Sequence, residues 1–136
     1  MRFKNEIEYV FRILMFMASH PEREIITSQE ISQEEVIPHL FSMRIMKKME
    51  KAGLLEIIKG SKGGYKLKKK PEDISLKDAI LCIDDIIMVK DIENFDEVGT
   101  SYAHIMNALR VVEKKLEQNL ENSNFKDLSE EWLQNK

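Results

Sequence analysis

Between residues 59 and 64 the chain places three of its five glycines, in Lys59-Gly60-Ser61-Lys62-Gly63-Gly64. So many glycines in so short a stretch make a turn, because glycine adopts backbone angles other residues avoid. On one side lies Leu54-Leu55-Glu56-Ile57-Ile58, a short strand candidate. On the other, Tyr65-Lys66-Leu67-Lys68-Lys69 alternates apolar and basic residues as a half-buried strand does. The segment reads as a small β-hairpin closed by Pro71. Gly53, a left-handed helix cap in type, puts a helix end immediately before it. The hairpin therefore stands directly after a helix, and the elements upstream decide what it belongs to.

Upstream the periodicity is helical. Ile7, Val10, Phe11, Leu14, Met15 and Met17 recur at helical spacing, Asn5 can cap the start, and His20-Pro21 ends the run. Thr27-Ser28-Gln29-Glu30 is a capping-box pattern that opens a short helix near Ser28, and Gln33 to Ile37 break it. Pro38 suits the first turn of a third helix, where its missing N–H costs nothing. Leu40, Phe41, Ile45, Met49 and Ala52 mark one apolar face of that helix.

Downstream, Ser75-Leu76-Lys77-Asp78 resembles a second capping box and starts a helix carrying Leu76, Ala79, Ile80 and Ile83, with Ile86 as a further position. An acidic connection follows at 88–100. Tyr102, Ile105, Leu109, Val112, Leu116 and Leu120 then recur every three or four residues, a coiled-coil-like seam. With 136 residues, the chain has little other surface to cover such a stripe, so these six residues are the expected dimer interface. Asn122-Ser123-Asn124 breaks the seam, and a short last helix carries Leu128, Trp132 and Leu133.

Charge is distributed unevenly. The formal net charge is only −3, yet Arg44 to Lys70 holds ten basic residues against two acidic ones, a net +8. The remainder carries eleven basic and twenty-two acidic residues. Such asymmetry points to a local anionic partner. The expected class is mainly α with a small β-hairpin: a winged helix-turn-helix domain over 1–74, then a helical dimerisation region over 75–136 containing a long dimerisation helix. The +8 segment coincides with the second helix of the pair and the wing. A recognition helix fits the DNA major groove, and a glycine-tipped wing lets backbone and lysines approach phosphates. The expected DNA-contacting residues are His39, Ser42, Met43, Arg44, Lys47 and Lys48 on the helix, and Lys59, Ser61, Lys62 and Tyr65 on the wing.

These residues also resemble a family. Glu8-Tyr9-Val10-Phe11-Arg12-Ile13-Leu14 resembles the opening helix of the Rrf-two (Rrf2) family of bacterial winged-helix regulators, which includes IscR-, NsrR- and CymR-type proteins. Lys51-Ala52-Gly53-Leu54-Leu55, followed by Lys59-Gly60-Ser61-Lys62-Gly63-Gly64-Tyr65-Lys66-Leu67, is similar to its wing pattern of a basic residue, a glycine, two variable residues, a glycine pair and a tyrosine. Asp73-Ile74-Ser75-Leu76 and Phe125-Lys126-Asp127-Leu128 resemble later family segments. The resemblance implies a homodimer whose long helices pair and bring two winged domains onto a palindromic operator. Two departures stand out. Cluster-binding members carry three cysteines in the connection before the dimer helix, whereas Met88 to Ser101 contains none here, and Glu8, where some members supply a carboxylate ligand, stands without them. The family's glycine-isoleucine-serine between its second and third helices reads Val36-Ile37-Pro38.

Other classes find less support. The one cysteine, Cys82, excludes an intramolecular disulfide and every multi-cysteine metal site, and it falls on a largely apolar helix face where lone cysteines are buried and inert. His20 and His104 have no partner at metal-ligand spacing, so neither metal nor cofactor is expected. No apolar run approaches the ~20 residues of a membrane span, and no signal peptide is expected from the charged, amphipathic start. No nucleophile elbow, phosphate loop or metalloprotease motif occurs, so an enzyme is not expected. The reading is a cytoplasmic, homodimeric regulator of double-stranded DNA without an iron–sulfur cluster, open to a small-molecule or protein effector. The alternatives are a winged-helix module for a protein partner and a haem- or thiol-based sensor.

Overall fold

The computed structural model of the chain describes residues 5–83 and 101–135, with side chains from 6 and from 104. The acidic connection, Ile86 and the Tyr102 side chain lie outside the described residues.

Helix α1 (Asn5–Ala18) is the centre of the core: Ile7, Val10, Ile13, Leu14, Phe16, Met17 and Ala18 are all buried. Its apolar residues cover more than one face because the helices over Ser28–Glu35, His39–Lys51, Leu76–Leu81 and Phe125–Gln134 all pack on it. At its end the Phe16 carbonyl lies 2.8 Å from His20 Nδ1. Helix α2 (Ser28–Glu35) starts where the capping pattern places it: Thr27 Oγ1 accepts from the Glu30 N–H at 3.1 Å and bonds the Glu30 carboxylate at 3.2 Å. It continues past Gln33 to Glu35, because the chain stops only at Val36, whose φ of 53° and ψ of 50° are left-handed.

A β-branched residue in that region is strained, by ~1–2 kcal/mol. Val36 is also 82 % exposed, so no core contact compensates. Val36→Gly should stabilise the protein by about 1 kcal/mol after glycine's larger entropy loss. Thermal melting should rise by several degrees; an unchanged or lowered midpoint would count against strain at this turn.

Helix α3 (His39–Lys51) differs in rotation from the sequence expectation. Pro38 is its N-cap rather than its first helical residue, and the Pro38 carbonyl accepts from the Ser42 N–H at 2.9 Å. The buried stripe is Ser42, Ile45, Met46 and Met49, whereas Leu40 is 83 % exposed and Phe41 and Ala52 are also exposed. Ser42 tolerates burial because its hydroxyl donates to the His39 carbonyl at 2.8 Å, leaving no unsatisfied group. Gly53 adopts the left-handed angle expected of it, φ 82°.

Strands β1 (Leu55–Ile58) and β2 (Gly64–Leu67) pair antiparallel, with Leu55 opposite Leu67 and Ile57 opposite Tyr65. Glu56 and Lys66 face each other across the ladder at 3.7 Å. A third segment joins the wing, since Ile26 and Tyr65 exchange backbone hydrogen bonds of 2.9 and 2.8 Å. This pairing explains the glycine pair. A Cβ on Gly63 would sit 2.1 Å from the Ile58 carbonyl oxygen, and one on Gly64 2.7 Å from that of Ile26. Only glycines let the turn close and the returning strand lie against residue 26.

After a 3₁₀ turn at Pro71–Asp73, Ser75 and Asp78 form the reciprocal capping box of α4 (Leu76–Leu81), with Cys82 just past its end. Helix α5 (Ser101–Asn122) is the longest of the described elements. The chain then turns back, pinned by Leu76 N–H to the Ser123 carbonyl (2.8 Å) and Phe125 N–H to the Ile74 carbonyl (3.0 Å). Helix α6 (Phe125–Gln134), capped by Asn124, packs on α1 and on the 3₁₀ turn. It buries Phe125 and Ser129, while Leu128 is half-buried and Trp132 and Leu133 stay exposed, unlike the expected apolar triad. Phe125 and Ala79 share one buried cluster with α1 and α3, so buried packing continues across residue 74.

Candidate nucleic-acid interface

With Ser42, Ile45, Met46 and Met49 turned inward, the opposite side of α3 carries Leu40, Met43, Arg44, Lys47 and Lys51, all exposed. Helical geometry puts positions 40, 44, 47 and 51 on one line. Ser42, expected at DNA, is instead fully buried and bonded to its own helix, so it presents no group to a base. His39 is exposed, and its Nε2 lies 3.0 Å from Ser28 Oγ, which ties the start of α3 to the start of α2.

The three helix cations expected at DNA are not equivalent. Lys48 donates to the Glu6 carboxylate of α1 at 2.6 Å. Arg44 stacks on Phe41, 4.5 Å from ring centroid to guanidinium carbon, with Glu6 3.9 Å away, and Phe41 in turn meets Tyr9 edge-on at 5.8 Å. Arg44 is thus held by α1 yet remains more than half exposed, whereas Lys48 is turned to α1. Lys47 carries its charge outward on the Leu40 side. Lys51 lies exposed on the same line, a position that the expected apolar face through Leu40 and Phe41 does not mark.

On the wing, Lys59, Ser61 and Lys62 are exposed around a turn closed by Gly63 N–H to the Gly60 carbonyl at 3.0 Å. Tyr65 is only half-exposed: its ring packs against the core cluster, and burial pushes its phenol pKa up. The protonated hydroxyl remains able to donate. Lys68, Lys69 and Lys70 are exposed beyond β2 and extend the basic surface.

The expected dimer seam divides. Leu120 is buried and Leu116 half-buried against Ile7, Ile80 and their neighbours in the same chain, so these two serve the protomer's own core. Lys77 of α4 clamps this half of α5 by ion pairs to Glu117 (2.8 Å) and Glu121. Ile105, Leu109 and Val112 are 45–63 % exposed, as is Val111. Among the described residues, the part of this stripe that the protomer leaves uncovered is therefore the first half of α5.

Comparison with known proteins agrees with this architecture. The profile of the Rrf2 family, described as an iron-dependent transcriptional regulator, matches residues 3–131. The HTH-type transcriptional regulator NsrR of Bacillus licheniformis is 30 % identical over 80 residues, 59 % of this chain and 56 % of that one. NsrR of Bacillus subtilis is 27 % identical over 96 residues, 71 % and 64 % respectively. The alignments span little more than half the length of most of these curated relatives. Among solved structures, CymR (YrzC), the global cysteine regulator of B. subtilis, superposes with a TM-score of 0.78 at 17 % identity, covering 96 % of this chain and 97 % of that one. CymR of Staphylococcus aureus gives 0.69 at 23 % identity, covering 93 % and 97 %. At such identity the structures establish the winged-helix fold alone.

Proposed function

We propose that this chain, which belongs to the Rrf2 family of DNA-binding transcriptional regulators, works as a homodimer on palindromic operator DNA and holds no iron–sulfur cluster. The observation that carries the reading is the clustering of exposed cations on one helix face and one wing tip in a chain that is acidic elsewhere. Arg44, Lys47 and Lys51 lie behind the front of α3, and Lys59 and Lys62 flank the wing. Phosphate contacts of this kind fix register, while side chains at the start of the helix reach base edges. A two-fold pair of such domains reads a palindrome because symmetry in the protein is mirrored in its site. The exposed apolar half of α5 supplies the surface for that pairing.

An iron–sulfur cluster does not fit the residues present. Clusters of this kind are held chiefly by four thiolates, and one cysteine per chain supplies two in a dimer. Cys82 is half-buried, and burial with nearby Asp78 pushes its thiol up to about 11, the reverse of what a ligand or a redox thiol needs. Glu8 is paired with Arg12 at 2.7 Å. Among the described residues no three His, Cys, Asp or Glu side chains gather around a common point. The same thiol argues against a cysteine sensor. Among the described residues no helix is long and apolar enough to cross a membrane, which accords with a cytoplasmic regulator.

Selection of binding sites from genomic DNA with the anaerobically purified protein tests the reading. The expected result is a palindromic consensus bound by a colourless protein without stoichiometric iron or sulfide. Failure to enrich any sequence would favour the protein-partner alternative. A visible charge-transfer band with stoichiometric iron would overturn the cluster-free assignment.

A further inference from the structure

The front of α3 has an unusual chemistry for a helix that reads DNA. From residue 39 to 43 it runs His39-Leu40-Phe41-Ser42-Met43. Arginine, lysine, asparagine, glutamine and the carboxylates, the side chains that read bases by paired hydrogen bonds, are all missing until Arg44. Ser42 is buried, and Phe41 is engaged by Tyr9 and Arg44. Leu40 is 83 % exposed and Met43 42 %. They are neighbours on the helix, three residues apart, on the side facing away from the core. Leu40 does nothing for the fold, since Ile45, Met46 and Met49 already seat the helix. Large exposed apolar groups at a polar binding surface mark what that surface contacts.

In the major groove one base presents an apolar group: thymine, through its C5 methyl. We propose that Leu40 and Met43 form an apolar reading head that selects thymine methyls in each half-site. The inference rests on the DNA-binding reading and specifies its chemistry. Cations follow on the same face, so the helix divides into an apolar front that discriminates and a basic rear that anchors. His39, held by Ser28, remains the polar group at this end.

The test replaces single thymines of the selected operator by deoxyuridine, which removes only the methyl and leaves pairing and O4 intact. At one or two positions of the half-site, affinity measured by fluorescence anisotropy should fall about fourfold per half-site and about fifteenfold when both carry the change, from the transfer value of one methyl-sized group. Leu40→Ala should abolish the difference between thymine and deoxyuridine at its position, and Met43→Ala at the neighbouring one. Thermal melting of Leu40→Ala should match the unaltered protein, since the residue packs on nothing in the core. Equal affinity for every thymine and deoxyuridine duplex would overturn the inference while leaving DNA binding intact. So would two alanine variants that keep the full discrimination. Absence of any selected operator would instead defeat the DNA-binding reading and the inference with it.

Discussion

A protein with aspartate at both Leu109 and Val112 should elute as a folded monomer and lose most of its affinity for a two-half-site operator. The two residues are 45 % and 63 % exposed in the protomer, so the substitution disturbs nothing in its own core. Across a two-fold axis it places four carboxylates in one apolar seam. Burying unpaired charges costs several kcal/mol, more than a seam of this length supplies. Loss of the dimer removes the effective concentration that the first half-site contact lends to the second, worth ~10²- to 10⁴-fold in affinity. Light scattering should give half the mass of the unaltered protein, with circular dichroism preserved. Aspartate at Leu116 makes the contrasting control. That residue packs with Ile7, Ile80 and Leu120 inside one chain, so its replacement should lower the melting temperature rather than simply dissociate subunits. A Leu109/Val112 variant that remains a dimer would remove α5 from the interface.

The contrast between those positions shows where local pattern stops being informative. The repeat at residues 105, 109, 112, 116 and 120 is continuous in the sequence, and nothing in its spacing separates the half that covers α1 and α4 from the half left open. That division depends on Leu76, Ser123, Ile74 and Phe125, whose backbone bonds return the chain to its own core. Elements marked by short-range chemistry were legible. Thr27 with Glu30 and Ser75 with Asp78 cap the helices they open, and Gly60, Gly63 and Gly64 lie in the wing turn and the strand it opens. The rotation of α3 was not legible, because a serine at a buried position looks polar until its bond to the His39 carbonyl is seen. Leu40 and Phe41 then took the inward places that Ser42 and Met46 hold. Two further features carry no periodic signal at all: the bridge of Ile26 to Tyr65, and the ion pair of Lys48 with Glu6, 42 residues apart. The latter changes the reading of the site, since basic character alone made Lys48 equal to Lys47.

With Lys48 committed to α1, four of the cations that the sequence pattern assigns to DNA remain in each protomer: Arg44, Lys47, Lys59 and Lys62. If all engage, a dimer neutralises eight phosphates, and log affinity should fall with log salt at a slope of about −7. Between 50 and 200 mM salt that is about four orders of magnitude in affinity. Replacing Lys59 and Lys62 by alanine removes four of the eight contacts and should flatten the slope by about four units. Because phosphate contacts carry no sequence information, the loss at low salt should be similar for operator and scrambled duplexes. Both lysines are exposed on the turn, so the substitutions leave the core and the Ile26–Tyr65 bridge untouched. Replacing Lys48 by alanine should leave the slope unchanged, since its ammonium is already paired with Glu6 at 2.6 Å. Fluorescence anisotropy across a salt series reads all three outcomes. A wing double variant with the original affinity and slope would take the wing off the DNA and turn this basic surface toward an acidic protein partner.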